Sequence, residues 1–427
     1  MVMALLSGSS VISDASGIES PGVGSRALSM GGAFVGLADD WSAAFWNPAG
    51  LARLQGWGVG QSTELIELKA HDGNSIANPT PPFTRANIEQ GDPFFQLGGE
   101  PSHFNVTDAR IQAALPSLAG YKVIGPWAFS MGVFAPLGYA FSLEDDTVQG
   151  LRANYESRGY VISYNLSAAR RFGERWSLGV GFNVLDAQMK RDATKQSDTY
   201  TFQSSASGRG NAFQGVVGLL GKLHEKVTVG FVYKTGGDIN LHGTSSISDT
   251  RFPLPVPGVG TLNNETSATT SVFYNPPIYQ AGLAFKPLPA LTLTADWHLT
   301  DWRGNRTVTT FADPGVFLQN QDFNAGWRMT QSWRTGGEYG WSYHQGRKIN
   351  FRWGYMWDPY ALPDSAVSVT NIVDVSRNFY TIGMSWTDGT WEPAIGFMYD
   401  SGSRQVQGVD YKRVDRLVTV GFQYRGS

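Results

Sequence analysis

The chain has 427 residues, 33 Lys and Arg against 36 Asp and Glu, a net charge of −3 and no cysteine. So sparse and balanced a charge excludes the basic face that nucleic-acid binding needs, and the lack of cysteine excludes disulfide frameworks and thiolate sites. No run of about 18 apolar residues is present to make a transmembrane helix, whereas 51 Gly, 17 Tyr and 14 Trp suit many strands, tight turns and interfacial anchors.

Residues 1–6 are apolar but lack the basic flank of a secretory leader, since the first basic residue is Arg26. They fit either the remnant of a leader or an arbitrary start. The stretch RALSMGGAFVGLADDWSAAFWNPAGL (26–51) is rich in Ala and Gly and shows no strict alternation. Asp39 and Asp40 precede an apolar run, where a carboxylate caps free helix N–H groups, so a short helix is expected over 40–46, stopped by Pro48. Asn47 before Pro48, Ala49 and Gly50 reads as turn chemistry, which serves equally a simple turn or the tip of a plug.

From residue 57 onward the chain alternates with period two. Leu291, Leu293, Ala295, Trp297 and Leu299 fall on one face, and Thr292, Thr294, Asp296, His298 and Thr300 on the other. Fourteen strands are expected, near 57–68, 109–119, 127–141, 157–171, 175–190, 211–223, 226–240, 271–285, 291–305, 326–341, 348–357, 378–386, 391–400 and 414–425. Their connections sort by length. Long ones (69–108, 142–156, 191–210, 241–270, 306–325, 358–377 and 401–413) alternate with short turns, as in a meander through a membrane with both ends on the short-turn side.

Alternation alone does not say which face meets solvent. One face carries Trp176, Trp297, Trp327, Trp333, Trp341, Trp353, Trp357, Trp386 and Trp391; the other carries Lys222, Arg328, Arg334, Glu338 and Arg352 among Gly, Ser and Thr. Nine indoles suit a membrane–water boundary better than the inside of a narrow barrel. The expected architecture is therefore all-β: a 14-stranded antiparallel transmembrane barrel (53–427) plugged by a small N-terminal hatch (1–52).

Several segments together carry a family resemblance. The Gly/Ala-rich segment ends in Asn47-Pro48-Ala49; RWSLGVGFNVLDAQMK (175–190), PPIYQAGLAFKPLPALTLTADWHLTDW (276–302), INFRWGYMWDPYALPD (349–364) and RNFYTIGMSW (377–386) follow. With these the chain resembles the FadL-type outer-membrane transporters of Gram-negative bacteria, over nearly its whole length. The resemblance implies passive uptake of long-chain fatty acids or other hydrophobic small molecules by a multi-pass outer-membrane monomer, in contact with outer-membrane lipid, without cofactor, metal or enzymatic activity. It implies capture at an outer hydrophobic groove, transfer to an inner site and sideways exit through a gap at a kink in the third strand.

The residues offer candidates for each part. In the third strand Pro136 cannot donate a ladder hydrogen bond and Gly138 adds backbone freedom, which fits a wall gap or an ordinary bulge. Phe252, Leu254, Val256, Val259 and Leu262 make one long connection apolar, with Phe94 and Phe95 as a facing wall, which fits ligand capture or loop packing over the mouth. Phe134, Met356 and Phe379 have lumenal parity and could line an inner site or pack against the hatch.

A second reading, a non-transporting barrel of the same superfamily acting as a secretion shuttle or scaffold, shares the N-terminal stretch and requires a protein partner. Gly22-x-Gly24-x-x-Ala27 lacks the strand and βαβ unit of a dinucleotide site, and His224-Glu225 lacks the second histidine of a zincin.

Overall fold

The computed structural model describes residues 21–72, 108–146, 152–196, 201–249, 264–315, 318–344, 346–366, 374–406 and 409–426. Among them β1 (Trp57–Asp72), β2 (Asp108–Ile124), β3 (Trp127–Asp146), β4 (Arg152–Phe172), β5 (Trp176–Gln196) and β6 (Thr201–His224) each run as one strand. The next three staves are broken once each. β7 (Val227–Lys234) continues as β8 (Gly237–Asp249), β9 (Glu265–Asn275) as β10 (Ile278–Leu288), and β11 (Leu291–Asp301) as β12 (Thr307–Phe311). A short β13 (Gln321–Phe323) pairs with β12, and β14 (Met329–His344), β15 (Arg347–Asp358), β16 (Arg377–Thr387), β17 (Trp391–Val406) and β18 (Val409–Gly426) follow. Counted as staves these are fourteen, all antiparallel. The sheet closes where β1 pairs with β18, from Trp57↔Gly426 to Asp72↔Tyr411. Closure leaves no sheet edge, the condition for strands to span lipid.

Side-chain direction follows the alternation. Trp57, Trp127, Trp176, Trp341 and Trp391 are exposed near the short-turn rim, and Trp333 and Trp357 nearer the opposite one. Trp333 and Trp341 on β14 are eight residues apart, about 27 Å along a tilted strand, comparable with an apolar band about 25 Å tall. Trp327 departs from the expected face. It precedes β14 and is buried with Trp302, Ala361 and Leu362. Lys222 and Arg328 are exposed at strand ends, while Arg334, Glu338 and Arg352 point into the lumen as expected.

Three connections expected to be long are largely strand. β3–β4, β5–β6 and β17–β18 leave only 147–151, 197–200 and 407–408 between them. Above the membrane both strand faces are wet, so these hairpins lose the apolar alternation that marks a strand in sequence. The stave breaks have local causes. Pro276 and Pro277 offer no ladder donor between β9 and β10, and a Cβ on the neighbouring Gly236 would lie 2.4 Å from Pro277 Cδ.

Residues 21–54 lie within the ring of strands. Leu28 is buried with Met356, Phe379, Met398 and Leu417 on one side, and Trp41, Ala44 and Leu51 with Ala119, Ala128, Phe134 and Ala169 on the other. Two short helices, Ser25–Ser29 and Ala43–Trp46, and a 3-10 helix, Pro48–Arg53, are its regular pieces. The helix is shorter than the expected 40–46. Asp40 Oδ1 accepts from Ser42 N and Ser42 Oγ instead of capping it. Pro48 begins the 3-10 helix, where its missing N–H costs nothing, and Asn47 caps that helix by accepting from Ala49 N at 3.1 Å.

Candidate functional site

The segment touches the wall most closely where the wall has no side chain. A Cβ at Gly230 would sit 2.2 Å from Val35 O, and one at Gly218 2.2 Å from Asn47 Oδ1. Asn47 Nδ2 donates to Val35 O at 3.0 Å and to Leu219 O of β6 at 3.2 Å, so one buried amide joins both limbs of the segment to the barrel. Gly230→Val is expected to destabilise the protein by about 1–3 kcal/mol, as overpacking does. The measurement is the temperature at which the folded band converts in a heat-modifiable gel; an unchanged temperature would refute this close fit.

On the β14–β18 side the fit is as close, a Cβ at Gly336 lying 2.3 Å from Met30 O and one at Gly354 2.2 Å from Gly31 N, and an ionic contact is added to it. Arg26 forms a bidentate pair with Glu338 of β14, at 2.7 and 2.8 Å, and Nη1 meets Asp39 at 2.5 Å. Arg352 Nε shares Glu338 at 2.7 Å and Arg352 Nη2 reaches Glu392 at 2.7 Å, which Arg425 also contacts at 3.1 Å. Back beside Gly230, Asp296 Oδ2 accepts from Val35 N at 2.8 Å. Burial pushes the Asp40 carboxyl up, against the pull of the adjacent Arg26 charge.

Between the segment and the wall is a cavity of about 110 Å³. Ala44 and Phe45 form one side; Phe134, Pro136, Leu137, Val161 and Leu185 form the side toward β3–β5; Ile239, Phe273, Tyr274 and Trp302 lie on the third. Polar groups are few: Ser163, Asn183, Gln214, Asn275 and Lys234. A second cavity, about 90 Å³, shares Phe45, Lys234, Ile278 and Trp302 with the first and is lined by Gln280, His298, Arg334, Arg377 and Asp358, the last two paired at 2.6 Å. Lys234 stands between the two, buried, its Nζ 4.1 Å from the centroid of Phe45. An apolar chamber beside one of net positive lining can hold an amphipathic molecule, its apolar body toward β3 and an anionic end toward Lys234 and Arg334. Among the described residues no group of His, Asp or Glu is placed to hold a metal ion.

The wall beside the apolar chamber is interrupted. β2 and β3 pair from Asp108↔Glu144 to Gln112↔Ala140 and again from Leu118↔Val133, leaving 113–117 and 134–139 outside the registered ladder. On its other side β3 skips one residue against β4, from Phe134↔Ser163 to Leu137↔Val161. Pro136 lies in this bulge and Pro116 lies in the facing stretch of β2, so the unpaired stretches include two residues with no N–H to give. Among the described residues a backbone-to-side-chain contact, Ala135 N to Ser117 Oγ at 3.5 Å, spans the interval. Gly138 is buried in the same stretch.

The other sequence candidates divide. Phe134 and Pro136 line the apolar cavity and Met356 lines the second one, whereas Phe379 packs in the cluster around Leu28. Asp40, Asn47, Pro48, Ala49 and Gly50 are buried in the N-terminal segment and Asp39 pairs with Arg26. Phe94, Phe95, Phe252, Leu254, Val256, Val259 and Leu262 lie outside the described residues. Sequence reasoning missed Lys234, Asn183 and Gln214. Lys234 carried a legible signal, a cation at inward parity in a strand whose neighbour Tyr233 points out.

A family model described as outer membrane protein transport protein (OMPP1/FadL/TodX) matches residues 9–403. No curated protein matches the chain. Among solved structures, a Pseudomonas aeruginosa FadL homologue superposes with a TM-score of 0.74 at 14% identity, covering 96% of this chain and 99% of that one. The P. putida toluene transporter TodX gives 0.71 at 14%, over 95% and 99%, and the Ralstonia pickettii toluene transporter TbuX gives 0.64 at 15%, over 95% and 99%. At such identities these similarities show a shared fold.

Proposed function

The chain belongs to the outer-membrane transport family OMPP1/FadL/TodX, and within it we propose a passive importer of long-chain fatty acids or closely similar amphipathic anions, released sideways between β2 and β3. A family of transport barrels places it in the outer membrane of a Gram-negative bacterium. The observation that carries the proposal is the apolar cavity ending at Phe134, Pro136 and Leu137, beside strand stretches that lack ladder pairing. In this reading residues 1–52 act as a hatch and 53–427 as the barrel, and the protein works as a monomer. The hatch closes the axial route, so a molecule reaching the chamber from outside leaves through the wall. Phe94, Phe95 and the apolar side chains of 252–262 serve as the outer capture surface.

Ligand class turns on Lys234. TodX and TbuX are toluene transporters, and toluene has no anionic end. A buried ammonium beside the apolar chamber favours a carboxylate, since a hydrogen bond to a charged group contributes about 1.5–3 kcal/mol. Lys234→Met is therefore expected to lower uptake of a labelled long-chain fatty acid about tenfold and to leave toluene entry within about twofold, in cells lacking other such transporters. Equal loss of both, or of neither, would remove the headgroup assignment.

A further inference from the structure

Outside the barrel, on the lipid face of β3–β5, is an open groove of about 450 Å³. Registers place its parts. Ala168 on β4 lies opposite Phe129 of β3 and Val180 of β5, and Leu166 above it lies opposite Phe182. Phe129, Leu166, Val180 and Phe182 are all exposed large side chains, so the one small residue among them makes the floor. Two residues toward the short-turn rim on the same face, about 7 Å away, Arg170 stands at the open end. Its guanidinium lies 5.1 Å from the centroid of Trp127 and 5.1 Å from that of Phe172. It makes no ion pair among the described residues. Lys122, also exposed, faces Phe129 across β2–β3. Glu174, in the turn after β4, is the acid nearest in sequence.

We propose that this groove and Arg170 form a phospholipid site, with one acyl chain lying over Ala168 and the phosphate held by Arg170, with Lys122 adding a second positive charge. The chemistry at both ends fits one molecule. The groove is apolar and at hydrocarbon depth, and it ends on a cation fixed between two aromatic rings at the level where headgroups lie. A guanidinium held by stacking is oriented before binding, so little rotamer freedom is lost on meeting a phosphate. A free fatty acid would also place an anion on Arg170, but its carboxylate carries one chain and no phosphate oxygens for the second cation. The site is independent of the transport reading, because it faces lipid whether or not anything crosses the wall.

The test uses the full-length barrel, delipidated in detergent and titrated with palmitoyl-oleoyl phosphatidylglycerol, with bound lipid counted by native mass spectrometry. The wild type is expected to hold one phospholipid well above the others. Arg170→Gln should weaken it about fivefold, the worth of one arginine at an anionic surface, and Arg170→Lys should restore part of that. Ala168→Leu, which fills the floor, should weaken it independently of charge. Arg347→Gln, at the same rim on the far side of the barrel, should leave it unchanged. Either folded variant, Arg170→Gln or Ala168→Leu, decides the matter alone. Equal effects of Arg170→Gln and Arg347→Gln, no loss with Ala168→Leu, or displacement of the phospholipid by equimolar palmitate would overturn the proposal.

Discussion

Deleting Pro136 is expected to reduce fatty-acid uptake by at least about tenfold while the barrel still folds. The expectation comes from register arithmetic. Against β2, residue numbers pair to a sum of 252 above the interruption (Gln112↔Ala140) and 251 below it (Leu118↔Val133). Against β4 the sums are 298 above (Leu137↔Val161) and 297 below (Phe134↔Ser163). Both ladders are out of step by one residue at the same place. Removing one residue from the bulge brings both into step and restores alternation, because Phe134 and Leu137 both point inward now. The unpaired stretch 113–117 would then meet continuous strand, and each recovered backbone hydrogen bond would add about 1 kcal/mol.

A closed wall leaves a ligand in the chamber without a sideways route. A tenfold slowing needs only about 1.4 kcal/mol added to the barrier. Uptake of a labelled long-chain fatty acid, measured beside the heat-modifiable gel band and surface abundance, checks the result. A deletion variant that folds and transports at the wild-type rate would show that ligands do not leave between β2 and β3. Pro136→Ala is the weaker companion: it restores a donor but leaves the extra residue, so the bulge and most of the uptake should survive.

How much of this was legible beforehand follows from where alternation survives. β5 and β11 announce themselves because lipid on one side and a polar lumen on the other impose opposite chemistry on neighbouring residues. The upper halves of β4 to β6, such as TFQSSASGRG (201–210), gave no signal, because both faces meet water there. Pro136 was legible as a break, since a missing donor is a property of the residue itself. Its depth was not: the one-residue mismatch belongs to β3 jointly with β2 and β4. The same holds for the chamber. Phe134 could be assigned to the lumen by parity, but its meeting with Phe45 and Lys234 depends on how the N-terminal segment folds back. That segment follows no period, so its contacts could not be counted from sequence. The wall glycines it meets show the difficulty: Gly218 and Gly230 read as ordinary strand glycines until Asn47 and Val35 are seen against them.

Glu338→Gln is the second variant with a large expected effect, and it separates the ionic bridge from the close glycine contacts that hold the N-terminal segment on both sides. Glu338 accepts from Arg26 and Arg352, both largely buried, so the neutral amide leaves two guanidiniums facing each other with their shared anion gone. Removing one partner of a buried ion pair costs about 3–5 kcal/mol, most of it the penalty of the stranded charge. Arg352 keeps Glu392, and Arg26 keeps Asp39, so the loss should fall on the bridge between segment and wall. Lys286→Gln removes a pair to Asp39 at 3.6 Å whose lysine is half exposed, and should cost no more than about 1 kcal/mol. The contacts of Asn47 with β6, of Val35 with Gly230 and Asp296, and of Ser29 and Gly31 with Thr381 are untouched by either change, so the loosening should fall on the limb around Arg26. In planar bilayers Glu338→Gln should therefore show frequent ion-conducting openings, while the wild type and Lys286→Gln stay closed. If Glu338→Gln lowers thermal stability yet remains as closed as the wild type, the glycine-facing contacts alone hold the segment in place, and the ionic bridge serves stability without sealing the lumen.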